Sequence, residues 1–263
     1  MFVLIQSNVR KDPDFDKIYP ILDELSISYE TIHLDASVNT LTIHQDRTDV
    51  FVYGSVKLAM LAKENHDWYP GSFYSGNHLF EINSQFYKEH LLNYSVEVRQ
   101  LSDVLDWKND PDSNQKEEKF IKPYQYAKLF TGQVYTKSKW ENFVENTLKN
   151  PHTPLINAHS LIQVSEPRDI VKEARLWIVG GIIVESVYYK ILKDIPFEEQ
   201  VSEEGLEFAR QMISIFNVAD AFVMDICLTD IGWKIVEVNC INSAGFFPNT
   251  DIKKVFGALN AYF

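Results

Sequence analysis

KIVEVNCINSAGFFP, residues 234–248, begins as a buried strand and ends as a loop of small and aromatic residues, yet it carries Glu237 and Asn239 two positions apart. Side chains alternate along a strand, so Glu237 and Asn239 share one face while Val236 and Val238 turn the other way, toward a core. The preceding apolar run, AFVMDICL (221–228), is joined to WKIVEVN by Thr229-Asp230-Ile231-Gly232, which reads as a hairpin. Direct opposition of Asp225 and Glu237 centres the hairpin on Ile231, so the pattern predicts an odd loop, Asp230-Ile231-Gly232, with Gly232 at positive φ.

In that register Asp225, Glu237 and Asn239 project from one face. A buried carboxylate without a partner costs several kcal/mol or is driven neutral, so the cluster calls for positive charge. Two solutions stand open. A hard cation suits an all-oxygen set, and magnesium, which keeps several waters and is completed by substrate phosphates, fits a small one. Alternatively, Asp225 and Glu237 pair with Lys or Arg across the sheet. Upstream, Lys122 stands at a strand end before Pro123, Lys128 lies in the loop that follows, and Arg175 and Lys190 flank Gly180-Gly181. Singly these are ordinary surface charges. Together with the Asp225, Glu237 and Asn239 set they are the parts a nucleoside triphosphate requires, namely charge neutralisation, a loop over the phosphates and a metal bridge. Neither GxxxxGK[ST] nor GxGxxG occurs, which excludes the P-loop and dinucleotide-binding solutions.

Outward from this centre the second half reads as strand KFIKP, loop YQYAKLFTG, strand QVYT and helix KSKWENFVENTLK. LIQVSEP follows, then a hairpin turning at Gly180-Gly181, an amphipathic helix with Leu206, Ala209, Ile213 and Phe216 on one stripe, and a final helix with Asp251 in its cap region. The first half alternates MFVLIQ, FDKIYPILDEL, YETIHL, DVFVYGS and VKLAMLAKEN, the rhythm of a small α/β lobe with a mainly parallel sheet. Val50–Gly54 before a helix reads as a tight strand-to-helix turn or as an anion-facing one. Trp68–Asn93 is aromatic and rich in turn residues, an irregular edge or a substrate-facing surface. SDVLDWKNDPDSNQKEEK suits an exposed connection and places the boundary near residue 105, giving an N-terminal lobe at 1–105 and a second region at 106–263.

Composition narrows the function classes. With 25 Lys and Arg against 37 Asp and Glu, the net charge is −12, which disfavours a broad nucleic-acid surface. Cys227 and Cys240 lie in apolar runs without zinc spacing and read as core thiols of a reducing cytoplasm; the seven His residues form no metal pattern. No segment reaches the roughly 18 apolar residues of a membrane span, so a soluble cytoplasmic protein is expected. No Ser-His-Asp or Cys-His constellation is apparent.

The ordered set KFIKPYQYAKLFTGQVY, LIQVSEP, KEARLWIVGGIIVESVYY and FVMDICL…WKIVEVN resembles the nucleotide-binding part of ATP-grasp proteins, especially the short ones of phage and bacterial genomes. The resemblance covers about residues 115–263. It implies an α/β (α+β) ATP-grasp fold behind a small pre-ATP-grasp-like lobe, with ATP between two sheets. By that likeness Lys122 contacts the α-phosphate and adenine, Lys128 belongs to the phosphate loop, and LIQVSEP reads adenine through backbone groups at Gln163 and Val164, with Glu166 on the ribose. Arg175 faces the γ-phosphate or an acyl phosphate, Lys190 is a further nucleotide-binding residue with Glu173 a candidate beside it, and Asp225, Glu237 and Asn239 hold magnesium. The loop YQYAKLFTG has one Gly where many ATP-grasp loops have several.

The activity this implies is an ATP- and magnesium-dependent carboxylate–amine, or carboxylate–thiol, ligase working through an acyl phosphate, with Arg175 and Lys128 at the reacting groups and small-molecule or peptide substrates. An ATP-binding module without ligation, a sensor or assembly component, is the alternative. A nucleic-acid ligase is disfavoured because KxDG is lacking.

Overall fold

The computed structural model describes residues 1–9, 14–35, 37–43, 46–107, 117–124, 129–150, 156–192 and 200–263. In chain order the elements are β1 (Phe2–Gln6), α1 (Ile18–Glu24), β2 (Tyr29–Ile32), β3 (Val50–Tyr53), α2 (Val56–Lys63), α3 (Phe80–Tyr87), β4 (Glu97–Gln100), β5 (Glu118–Pro123), β6 (Gln133–Thr136), α4 (Lys137–Lys149), β7 (Leu161–Ser165), β8 (Ile170–Val179), β9 (Ile182–Ile191), α5 (Glu203–Ile215), β10 (Ala221–Thr229), β11 (Gly232–Cys240) and α6 (Ile252–Tyr262). The chain divides into two compact units, one of Met1–Leu91 with Ile170–Phe263, the other of Leu92–Asp169.

In the first unit β1 is flanked by β2 and β3, all parallel, as the alternation of strands and helices predicts. The second sheet is antiparallel throughout in the order β11-β10-β8-β9, two hairpins joined through the β10–β8 pair. Gly180 and Gly181 form the β8–β9 turn with φ of 59° and 75°, the doubly positive pair that a two-residue hairpin needs. Ala221, Val223, Trp177 and Val179 line one face of this sheet and share a core with Val3, Ile5, Phe51 and Phe256, so the parallel sheet and α6 cover that part of it. On the opposite face Met224, Ile226, Leu176 and Ile178 pack against Ala209, Met212 and Ile213 of α5. Ser202 and Asp251 cap α5 and α6, their side chains accepting from the backbone N–H of Gly205 and Lys254.

Asn242 ties the layers of this unit together. It is fully buried; its Nδ2 donates to Val52 O at 2.7 Å and Gly71 O at 3.2 Å, and its Oδ1 accepts from Phe73 N at 2.8 Å. The Trp68–Asn93 stretch is more ordered than its sequence suggests: Trp68, Phe73 and Tyr87 are buried and Phe80–Tyr87 is helical.

The second unit is one antiparallel sheet, β4-β7-β5-β6, with Ile121, Tyr135, Ile162 and Val164 facing Trp140 of α4. Its limits run along different lines from the division at residue 105. β4 pairs with β7, and Leu101, Leu105 and Trp107 enter the same core, so the expected exposed connection is anchored at Leu105 and Trp107 while Ser102, Asp103, Val104 and Asp106 are exposed.

Candidate functional site

Asp225 and Glu237 are direct cross-strand partners, as expected, but not through an odd loop. The hairpin closes at Thr229 and Gly232 around Asp230-Ile231, with Gly232 at φ 98°. A bulge then shifts the register, because Ile226 faces Ile235 while Asp225 faces Glu237, leaving Val236 as the extra residue. Val238 is buried as expected; the bulged Val236 is only half-buried.

On its other side β10 pairs with β8, and Asp225 stands opposite Arg175. The guanidinium forks onto the carboxylate, Nε to Oδ1 at 2.8 Å and Nη2 to Oδ2 at 2.7 Å, with the two side chains 11% and 2% exposed. Cross-sheet pairing is therefore realised for Asp225. Nη1 of Arg175 donates to Gly245 O at 3.0 Å, and the guanidinium lies 4.7 Å from the Phe247 ring centre. Arg175 thus has all three nitrogens engaged.

Burial pushes the Asp225 carboxyl up to about 6; Arg175 pulls against this, and the charge and hydrogen bond of Glu237 add to it. Burial alone would lower Arg175, but its bonds and charge contact with Asp225 raise it instead. Two carboxyls on directly opposed residues, with one guanidinium forked onto Asp225, leave the pair short of positive charge. Asn239 Nδ2 donates to Glu237 Oε1 at 2.7 Å, which fixes the amide beside them. Among the described residues no cluster of three His, Cys, Asp or Glu is arranged for a metal, so a cation site here rests on Asp225, Glu237 and the Asn239 amide oxygen. That donor set, all oxygen and in excess of negative charge, fits magnesium.

The same sheet face continues through β8 and β9. Lys190 forms an ion pair with Glu173, whose Oε2 accepts from Tyr189 OH at 2.9 Å. Tyr189 stacks on Phe247 at 4.4 Å and 14°, so Phe247 contacts both Tyr189 and Arg175. Burial, then the charges of Asp225 and Glu173, raises the Tyr189 hydroxyl above its ordinary range. Tyr189, Gly245 and Phe247 were not among the expected site residues; the aromatic pair after the Glu-x-Asn strand was their one signal in the sequence.

In the second unit Lys122 of β5 stands opposite Gln163 of β7, on the face turned away from the buried Ile121, Ile162 and Val164. Gly132 approaches so closely that a Cβ there would stand 2.7 Å from Lys122 Cβ. Gln163 is buried; its Nε2 reaches Pro123 O at 3.4 Å, and its Oε1 has no partner among the described residues. β7 is central, paired with β4 and β5, so the peptide groups of Gln163 and Val164 serve the sheet ladders. Glu166 is exposed, just past the end of β7. Lys128 lies outside the described residues.

A groove of about 900 Å³ in the first unit runs along β9 past Glu185, Arg210, Asp251 and Lys254, and includes none of the expected site residues. No helix among the described residues is long and apolar enough to cross a membrane.

A family model described as an ATP-grasp domain, family 3 of its clade, matches residues 61–259. No curated protein matches by sequence. Among solved structures, D-alanine–D-alanine ligase from Bacillus anthracis complexed with ATP is similar at TM-score 0.62 and 11% identity, over 99% of this chain and 91% of that one. The RimK domain protein ATP-grasp from Sphaerobacter thermophilus gives 0.57 and 10% over 90% of both chains. The ATP-grasp ligase PsnB, complexed with a phosphomimetic variant of its minimal precursor, Mg and ADP, gives 0.58 and 13%, over 99% of this chain and 98% of that one. At such identities the likeness establishes a shared ATP-grasp fold.

Proposed function

Because the chain belongs to this ATP-grasp domain family, we propose that it is an ATP- and magnesium-dependent ligase joining a carboxylate to an amine or thiol through an acyl phosphate. The observation that carries this reading is the convergence of Arg175, Asp225, Glu237 and Asn239 at the polar end of one sheet face. Asp225, Glu237 and Asn239 would hold magnesium, which supplies charge neutralisation of the phosphates when bound. Arg175 and Lys190 would orient the transferring phosphoryl group, and the loop that contains Lys128 would cover it. Lys122 is assigned to the α-phosphate. Adenine recognition falls to the Gln163 side chain and to the backbone just past Val164, with Glu166 on the ribose, since the ladder engages the Gln163 and Val164 peptides.

In the proposed reaction a carboxylate oxygen bonds to the γ-phosphorus as the bond to the β–γ bridging oxygen breaks and ADP leaves. The amine then attacks the acyl carbon, inorganic phosphate departs, and the nitrogen loses its proton to solvent. The protein's share is positional and electrostatic. The ATP of the D-alanine–D-alanine ligase structure and the precursor variant, Mg and ADP of PsnB support small-molecule or peptide substrates. The free buried thiols Cys227 and Cys240 suit the cytoplasm.

Calorimetry of ATP with and without magnesium, on the wild type and Glu237→Ala, tests the binding. Magnesium-dependent binding lost in the variant is expected, and a screen of carboxylates and amines for ADP release then tests ligation. ATP binding without ADP release on any pair would favour a nucleotide-binding module; no ATP binding would refute both.

A further inference from the structure

Asp225 is the most enclosed of the proposed magnesium ligands. Both oxygens accept from Arg175, Glu237 stands directly opposite on β11, and the side chain is 2% exposed. Magnesium demands an octahedral oxygen shell and keeps several waters, and the fork leaves it only the second lone pair of each oxygen on a side chain already shut off from solvent. Arg175 is held elsewhere too, by Gly245 O at 3.0 Å and by Phe247, whose ring also stacks on Tyr189.

We propose that Arg175 is the internal counter-ion of the metal-free site, that a divalent cation must displace it from Asp225, and that Phe247 is the latch that keeps it there. The inference rests on the magnesium assignment made above. Two carboxyls on directly opposed residues need positive charge in either state; a guanidinium supplies one unit, a divalent cation two, and they compete for the same oxygens. Displacement frees the Arg175 charge for a phosphate, which couples metal entry to nucleotide entry. The opposite arrangement, in which Arg175 stays on Asp225 and orients it as a ligand, predicts weaker metal binding when the fork is lost.

The test is Mn²⁺ binding to the nucleotide-free full chain, followed by the electron paramagnetic resonance signal of free Mn²⁺. Arg175→Lys keeps the charge but cannot fork, and Phe247→Leu removes the ring without altering any charge. Binding tighter by about tenfold in Arg175→Lys and about threefold in Phe247→Leu is expected from the loss of the fork and of the cation–π contact. Thermal unfolding checks that each variant is folded; Phe247→Leu carries the test if Arg175→Lys is not. Equal or weaker binding in the folded variants, with binding retained in the wild type, overturns the proposal alone. No binding to any of the proteins overturns the magnesium assignment along with it.

Discussion

Arg175 and Asp225 meet across neighbouring strands as a forked ion pair, with Nε–Oδ1 at 2.8 Å and Nη2–Oδ2 at 2.7 Å, in a setting nearly closed to solvent. Removing one partner strands the other charge in the interior. Arg175→Ala or Asp225→Ala should each lower stability by about 3–5 kcal/mol in urea unfolding. Replacing both by apolar residues of similar volume, Arg175→Met with Asp225→Leu, should cost well below the sum of the single losses. A double variant as unstable as that sum would show that the two side chains act independently.

The sequence made half of this pair legible and hid the other half. Asp225 and Glu237 lie in one hairpin, where local pairing and a glycine at the turn bring them together, and even the unforeseen bulge at Val236 preserved their opposition. The partner of Asp225 depends on β10 lying beside β8, a contact between residues 50 apart with α5 in between. No local periodicity encodes that adjacency. The same limit applies to β7: its pattern shows a strand, but only the order β4-β7-β5-β6 reveals that both of its edges are occupied. β4 itself, Glu97–Gln100, is exposed throughout, so it lacks the apolar alternation that would have announced it.

Asn242 should prove one of the most sensitive polar positions away from the charged cluster. Its amide serves Val52 O, Gly71 O and Phe73 N at 2.7, 3.2 and 2.8 Å, all inside the protein. Asn242→Ala leaves these groups to find other partners, at a cost of about 3 kcal/mol, or about 6–12 °C in Tm. Asn242→Asp should be worse still, because an acceptor would replace the donor facing two carbonyls. A drop under about 1 kcal/mol in urea unfolding would mean that water enters and replaces the amide.

His78 gives the fold an acid-sensitive point. Its Nε2 is enclosed without a partner among the described residues, and Nδ1 stands 3.3 Å from Ser75 O. Burial lowers its pKa from 6.5 to about 4, so between these values the unfolded chain binds the extra proton. The stability that the neutral ring contributes is present above pH 6.5 and is lost as pH falls toward 4. From pH 7.5 to pH 5 the loss should be about 2 kcal/mol. Asp225 acts in the opposite sense, its carboxyl being held up at about 6, so the comparison must be with His78→Leu at each pH. Urea midpoints that change equally with pH in both proteins would rule out this role for His78.

Glu237 should show stability and binding moving in opposite directions. Its charge pushes the Asp225 carboxyl up, a cost carried by the metal-free fold, while the same charge is what a cation at this hairpin requires. Glu237→Gln keeps the shape and the oxygen that accepts from Asn239 Nδ2 at 2.7 Å, but removes the repulsion. The variant should gain about 1 kcal/mol in urea unfolding at pH 7.5 and lose magnesium-dependent ATP binding by at least about tenfold in calorimetry. A variant that is destabilised and still binds ATP normally would make Glu237 a structural partner of Asn239, and the excess negative charge on this sheet face would then need another explanation.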